Sequence, residues 1–331
     1  MFRNLLLSLT ISLLFFPTIA MGSETSKRPA VDMYEERLNL YKKSEETSLI
    51  PWYFFAAIDQ YERNVRLVRP DIPKKTDGVI SINIRPELWY GSLLYEKPTN
   101  NAAIISLLGG IGRDGNGDGI ADPNQDEDIL ASMQTYLLTY GVTEDQWALA
   151  LWDWYQRDVS VATIRNYAKI YQKYKSIRLD NHSYIMPLYS NHSIKASYGD
   201  ARSFGGRRMH EGVDIFAPYG VPVKSVSYGY IELKGWNRLG GWRIGIRDMS
   251  NNYHYYAHLG GYAKGLETGQ IVEPGTVVGY VGSTGYGPPG TAGKFPPHLH
   301  YGIYKDNGKT EWSFDPYHFL LQWKRVEKSK H

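Results

Sequence analysis

"FPPHLHYGI", residues 295–303, sets two of the chain's nine histidines on either side of a single leucine. Side chains alternate faces along a β-strand. As a strand, this stretch turns His298 and His300 to one side and sends Leu299 into the opposite layer. Its surroundings have the same texture. "VPVKSVSYGYIELKGW" (221–236), "WRIGIRD" (242–248), "NNYHYYAHL" (251–259) and "GTVVGYVGSTG" (275–285) are short β-like runs separated by glycine-bearing turns. The second half of the chain therefore reads as a largely antiparallel β-sheet.

The first half reads differently. "VDMYEERLNLYKKSEET" (31–47), "PWYFFAAIDQYERNVRLV" (51–68), "DEDILASMQTYLLTYG" (126–141), "TEDQWALALWDWYQR" (143–157) and "SVATIRNYAKIYQKYKSIRL" (160–179) repeat apolar residues at helical spacing. Thr143 stands as an N-cap, with Gln146 in capping-box position. "LDNHSYIMPLYSNHS" (179–193) breaks the pattern. The chain's 331 residues suffice for about two domains. The expected organisation is α+β: an all-α domain over 21–178, a linker over 179–193, a β-sheet domain over 194–320 and a tail over 321–331.

Residues 1–20, "MFRNLLLSLTISLLFFPTIA", have Arg3, a short apolar run and small residues at the end, the pattern of a secretory signal peptide. The run is short for a spanning helix, so a membrane attachment is expected only if this segment stays uncleaved. The chain has no cysteine, which excludes disulfides, thiolate metal sites and cysteine nucleophiles. A net charge of +3 without a Lys/Arg block gives no reason to expect nucleic acid. The expected product is a secreted, extracytoplasmic monomer.

Five residues of the sheet half can carry chemistry: His210 and Asp214 in "MHEGVDIF" (209–216), His258 in "YYAHL" (255–259), and His298 and His300. A catalytic zinc site takes three N/O ligands and keeps one position open. Two further histidines then remain to move protons and hold developing charge. "HEGVD" is not H-E-x-x-H, so a histidine must serve as base.

With these motifs the chain resembles the lysostaphin-type (LytM-like) zinc metalloendopeptidases. The resemblance spans Ile194 to Phe319 and rests on "SYGDAR" (197–202), "HEGVDIFAPYGVPVKSVSYGYI" (210–231), "YHYYAHL" (253–259), "GQIVEPGTVVGYVGSTG" (269–285) and "PHLHYGI" (297–303). It implies His210, Asp214 and His300 as zinc ligands, His298 as the catalytic histidine and His258 as its partner. It also implies hydrolysis of a peptide bond in bacterial peptidoglycan, within stem peptides or cross-links, during cell-wall or spore-cortex remodelling. Gly302 stands where the family commonly has an acidic residue, and "YGPPGTAGKFP" (286–296) is long, a rim loop able to alter substrate choice. The layout is similar to that of the sporulation L-Ala–D-Glu endopeptidases. The alternative is a catalytically silent wall-binding protein that regulates another hydrolase.

In the helical half, "IPWYFFAAIDQYERN" (50–64) resembles the acid-bearing helix of lytic transglycosylases, which implies a lysozyme/transglycosylase-like domain with Glu62 at the acid position. Arg63 follows where that family has serine, and its glycan motif is not recognisable, so a degenerate domain that positions or binds glycan is expected. "DGNGDGIAD" (114–122) matches a calcium loop through Asp114, Asn116, Asp118 and Asp122, with Gly119 at the turn. Calcium in the N-terminal half is thus a second cofactor expectation beside zinc.

Overall fold

The computed structural model describes residues 32–75, 77–204 and 206–330. The leader expected over residues 1–20 lies outside them. From Met33 onward the described residues form one compact unit, and no helix among them is long and apolar enough to cross a membrane.

Helices α1 (Met33–Thr47), α2 (Trp52–Val68), α3 (Pro86–Tyr90), α4 (Ala102–Leu107), α5 (Asp126–Tyr140), α6 (Glu144–Tyr155) and α7 (Asp158–Tyr174) build the first half. α6 begins at the expected capping box, in which the Thr143 side chain accepts from the Gln146 backbone N–H and the Gln146 side chain returns to the Thr143 N–H. α2 lies at the centre. Phe54, Phe55, Ala57, Ile58 and Tyr61 are all buried, because Gly- and Pro-free apolar residues continue round much of its surface. α3 and α4 escape the periodicity argument, since each is too short to complete two turns.

Twelve strands follow: β1 (Ser193–Lys195), β2 (Ala201–Arg202), β3 (Arg208–Met209), β4 (Val213–Phe216), β5 (Pro222–Lys224), β6 (Gly229–Asn237), β7 (Gly241–Asp248), β8 (Asn252–Tyr262), β9 (Ile271–Val272), β10 (Val277–Val281), β11 (His298–Asp306) and β12 (Glu311–Phe314). The main sheet runs β1-β4-β11-β8-β7-β6-β9, and its pairings are antiparallel. β10 joins β5 and β8, β12 joins β11, and β2 pairs with β3 separately. On β11, Leu299, Tyr301 and Ile303 enter one apolar core with Val213, Ile215, Ile244, Ile246 and Tyr256. The alternate residues face a groove on the other side, as the period of two requires.

Two expected boundaries change. Residues 179–193 do not hang free as a linker. Tyr184, Ile185 and Met186 are buried in the sheet's core, and the Ser183 N–H donates to Val226 O while Ile185 O accepts from Lys224 N–H. The expected tail is largely helix α8 (Tyr317–Lys328), whose Leu320 and Trp323 close the same core. Residues 184–186 are a single apolar triplet, too short for a periodicity to register, whereas "YHFLLQWKRVEK" (317–328) does carry an apolar helical face.

The two halves are fastened together. Tyr230 and Met249 of the sheet half belong to the apolar cluster of the helices. The Tyr167 hydroxyl donates to Asp248 O at 2.8 Å, Asn64 Nδ2 donates to Met249 O at 3.0 Å, and Arg157 pairs with the buried Asp306 at 2.8 Å. The helical half thus sits as a fixed platform beneath β6 and the β7–β8 turn, on the helix side of the sheet's edge.

Candidate active site and metal centre

Strand register places the first two candidates. His300 on β11 lies opposite Asp214 on β4, with both side chains on the groove face. His210 precedes β4, and two glycines let it approach. A Cβ on Gly212 would lie 2.4 Å from Tyr301 O, and one on Gly302 would lie 2.7 Å from Glu211 O. The chain before β4 therefore crosses β11 at backbone contact distance. Gly302, which departs from the resembling family's pattern, is required by this close crossing.

The crossing brings three ligand atoms together. His210 Nε2 is 2.8 Å from His300 Nδ1 and 3.2 Å from Asp214 Oδ1, and His300 Nδ1 is 3.4 Å from Asp214 Oδ1. Ligand bonds of 2.0–2.1 Å in a tetrahedron imply ligand–ligand edges of roughly 3.3 Å. The observed triangle fits zinc, and its N, N, O donor set suits that ion. Among the described residues, this is the group of His, Asp and Glu side chains that converges as a metal site. Burial works to raise the Asp214 pKa, but hydrogen bonds from His210 and His300 outweigh it and hold the carboxyl well below the usual range. Burial also lowers the pKa of His300. A deprotonated carboxylate and neutral imidazoles are the states that bind metal.

Backbone carbonyls settle two of the tautomers. His210 Nδ1 lies 2.8 Å from Ser197 O, His258 Nδ1 2.7 Å from Thr284 O and His298 Nδ1 2.7 Å from Pro296 O. A carbonyl can only accept, so in their neutral forms His258 and His298 carry the proton on Nδ1 and present a bare Nε2, whereas His210 Nδ1 lies between the Ser197 acceptor and the Arg202 Nη2 donor at 3.0 Å. His258 and His298 are buried, and their rings are 4.7 Å apart beside the ligand cluster. Burial and the neighbouring His298 and His300 push the His258 pKa down to about 3.

His258 also occupies unusual backbone. Its φ is +61°, in the left-handed region that costs a non-glycine residue roughly 1–2 kcal/mol. The cause is a bulge. Trp242 pairs with Leu259 but Ile244 pairs with Tyr256, so Ala257 and His258 together oppose Arg243. The extra residue swings the His258 ring onto the groove face, and its N–H donates to Gly240 O at 2.7 Å.

The groove has a volume of about 360 Å³, and its lining includes His210, Asp214 and His300 with His258, Arg202, Arg208, Arg243, Tyr255, Tyr286 and Tyr304. Arg202 donates from Nη2 to Asp214 Oδ2 at 2.6 Å, which leaves Oδ1 facing the histidines. Tyr286, from the long loop, stacks on His258 at 5.3 Å and meets Phe295 edge-on at 4.7 Å. The loop thus forms one wall, as expected. The arginines and the three carbonyls escaped sequence reasoning. The carbonyls leave no trace in residue identity, and an arginine in a polar strand position carries no distinctive pattern.

The helical candidates lie elsewhere. Glu62 is buried at the contact of α2 and α6, where the Tyr155 hydroxyl donates to Oε1 at 2.5 Å. Burial first, moderated by this hydrogen bond and Arg66, raises its pKa to about 7. The structure does not support the calcium reading. Asp114 accepts from the N–H groups of Gly117 and Gly119, Asp118 from that of Ile120 and Asp122 from that of Asn124. The buried Asp128, outside the expected ligand set, gathers Gly115, Asn116 and Asp122 N–H. The acidic loop is a chain of Asx turns tied down by one carboxylate.

Comparison with known proteins agrees with this geometry. The profile of Peptidase family M23 matches residues 208–313. The L-Ala–D-Glu endopeptidase of Bacillus subtilis (strain 168) is 54% identical over 329 residues, covering 99% of each chain. Lysostaphin of Staphylococcus simulans is 32% identical over 147 residues, 44% of this chain and 28% of its own. The solved catalytic domain of that lysostaphin matches at 33% identity with a TM-score of 0.33, covering 40% of this chain and 93% of that domain. A whole-length relative at that identity and the family's match to the strands that hold the site together show that the chain belongs to peptidase family M23.

Proposed function

We propose that this peptidase hydrolyses the L-Ala–D-Glu bond of peptidoglycan stem peptides at a zinc centre held by His210, Asp214 and His300. The observation that carries the reading is the triangle of ligand atoms with two tautomer-fixed histidines beside it. The substrate is taken from the whole-length relative, an L-Ala–D-Glu endopeptidase. Zinc, when bound, acts as a Lewis acid on the scissile carbonyl and acidifies the attacking water.

The chain's own groups do the rest. His298, buried beside His258 with its Nδ1 on Pro296 O, takes the proton of the attacking water through Nε2. Oxygen then adds to the alanyl carbonyl carbon, the C–N bond breaks, and His298 returns its proton to the departing glutamyl nitrogen. His258 accepts a hydrogen bond from the water through Nε2 and fixes its approach, since its Nδ1–H is committed to Thr284 O. A carbonyl on each Nδ1 prevents the rings from turning over during the proton's travel. The convergence of His210, Asp214 and His300, with His258 and His298 side by side, favours the enzyme over the silent-regulator alternative.

The helical half serves as the platform that keeps β6, β7 and β8 in place, supported by its fixed hydrogen bonds to Asp248, Met249 and Asp306. We place the enzyme outside the cytoplasmic membrane on the leader-like residues 1–20. Digestion of purified peptidoglycan followed by mass analysis tests the reading. New amino-terminal glutamate, lost with a chelator and in H300A, is the expected result; unchanged stem peptides would overturn it.

A further inference from the structure

A glutamyl residue inside a chain keeps one carboxyl free, whichever of its two carries the onward link. Unless that carboxyl is amidated, hydrolysis of an alanyl–glutamyl bond puts a carboxylate on the residue that supplies the scissile nitrogen. A groove built for that bond needs a cation on the departing side. The inference below rests on the substrate reading above.

Three arginines line the groove, and two are already engaged. Arg202 donates to Asp214. Arg208 donates from Nη1 to Phe204 O at 2.7 Å and Gly206 O at 3.3 Å. The acidic residues of the lining are occupied as well: Glu311 pairs with Arg247 at 2.7 Å, and Glu211 accepts from the Tyr304 hydroxyl at 3.1 Å. Arg243 contacts the Tyr255 side chain but, unlike Arg202, pairs with no carboxylate, and unlike Arg208 it donates to no backbone carbonyl, among the described residues.

Its position is set by the same bulge that places His258. Arg243 on β7 faces the two residues Ala257 and His258 of β8. The ring of Tyr255 lies 5.8 Å from that of His300 on one side and 6.0 Å from the Arg243 guanidinium carbon on the other. The guanidinium thus stands one aromatic ring away from a metal ligand, on the groove floor. Arg243 lines the groove, and a guanidinium there offers a planar carboxylate two parallel hydrogen bonds.

We infer that Arg243 binds the free carboxylate of the glutamyl residue on the departing side of the scissile bond, and so sets the enzyme's preference for an acidic residue there. Arg243 is on this account a substrate-recognition residue. A charge-assisted pair of this kind is worth about ten- to a hundredfold in binding.

The test uses the full zinc-loaded chain and two synthetic peptides. One carries an acyl-L-Ala–D-Glu unit with its carboxylate free, and the other carries the same unit as the primary amide. Wild type should cleave the carboxylate peptide with kcat/KM about ten- to a hundredfold above the amide. R243Q should bring that ratio close to one, R243K should keep part of it, and R208Q should leave it at the wild-type value. Because each ratio compares two substrates on one protein sample, partial unfolding of a variant cancels. A wild-type ratio near one, a ratio retained in R243Q, or a ratio lost in R208Q alone overturns the inference while leaving the peptidase reading intact. Failure of wild type to cleave either peptide or intact stems overturns both.

Discussion

His210 Nε2 lies 2.8 Å from His300 Nδ1, although ninety residues separate them in sequence. His210 Nδ1 faces Ser197 O, and its Nε2 faces the other ring nitrogen. A shared proton or a metal ion joins such a pair, and the Asp214 oxygen beside both nitrogens supplies the third donor a metal takes. Zinc should therefore raise Tm, by an amount equivalent to about 4 kcal/mol at a thousandfold excess over Kd. H300A should lose the zinc-dependent shift. Equal zinc-dependent shifts in wild type and H300A in a thermal scan would place the metal elsewhere.

Arg202 holds the outer oxygen of Asp214 at 2.6 Å and so orients the ligand oxygen toward the histidines. R202A should weaken zinc binding by about ten- to a hundredfold, the usual effect of losing a partner of a ligand. Competition with a calibrated chelator measures it. Undiminished affinity would mean that Asp214 is oriented by its strand alone.

The backbone at His258 separates catalysis from stability. With φ at +61°, H258G should be more stable than H258A by about 1 kcal/mol, since glycine has no Cβ to strain. Both variants should lose most of their activity. Urea unfolding of the pair decides it; H258A equal to or above H258G would show that the bulge is not strained.

Glu62 gives a pH signature. Its carboxyl is raised to about 7, chiefly by burial, against about 4.3 in an unfolded chain. The unfolded state therefore ionises first as pH rises, and folding loses stability from about pH 4 until the folded group also ionises near 7. The full loss is about 4 kcal/mol. E62Q, able to keep the Tyr155 hydrogen bond, should match wild type near pH 4 and exceed it by about 3–4 kcal/mol at pH 8. A gap that does not widen between those pH values in denaturant titrations counts against this account.

The legible parts of the sequence were those in which identity and spacing decide position. Alternation in "HLHYGIYKD" foretold that His298 and His300 would share a face while Leu299 and Tyr301 fed the core, and Thr143 with Gln146 foretold the start of α6. His210 and Asp214 met His300 as the resemblance implied. What stayed hidden depends on long-range geometry. Nothing in "NHSYIMPLY" announces that Tyr184 to Met186 will fill the sheet's core, and only the crossing at Gly212 and Gly302 explains why glycine replaces an acidic residue. "DGNGDGIAD" misled because calcium loops and Asx turns draw on the same residues; the difference lies in where the carboxylates point.

The central claim joins the zinc ligands to the histidine pair in one hydrolytic site, and H298Q tests it most directly. The measurement is mass analysis of peptidoglycan treated with wild type or H298Q, each loaded with zinc. Wild type should release stem fragments that begin with glutamate, while H298Q should bind zinc as tightly and lower that release by at least about a hundredfold. Fragments released by H298Q at the wild-type rate would contradict the account.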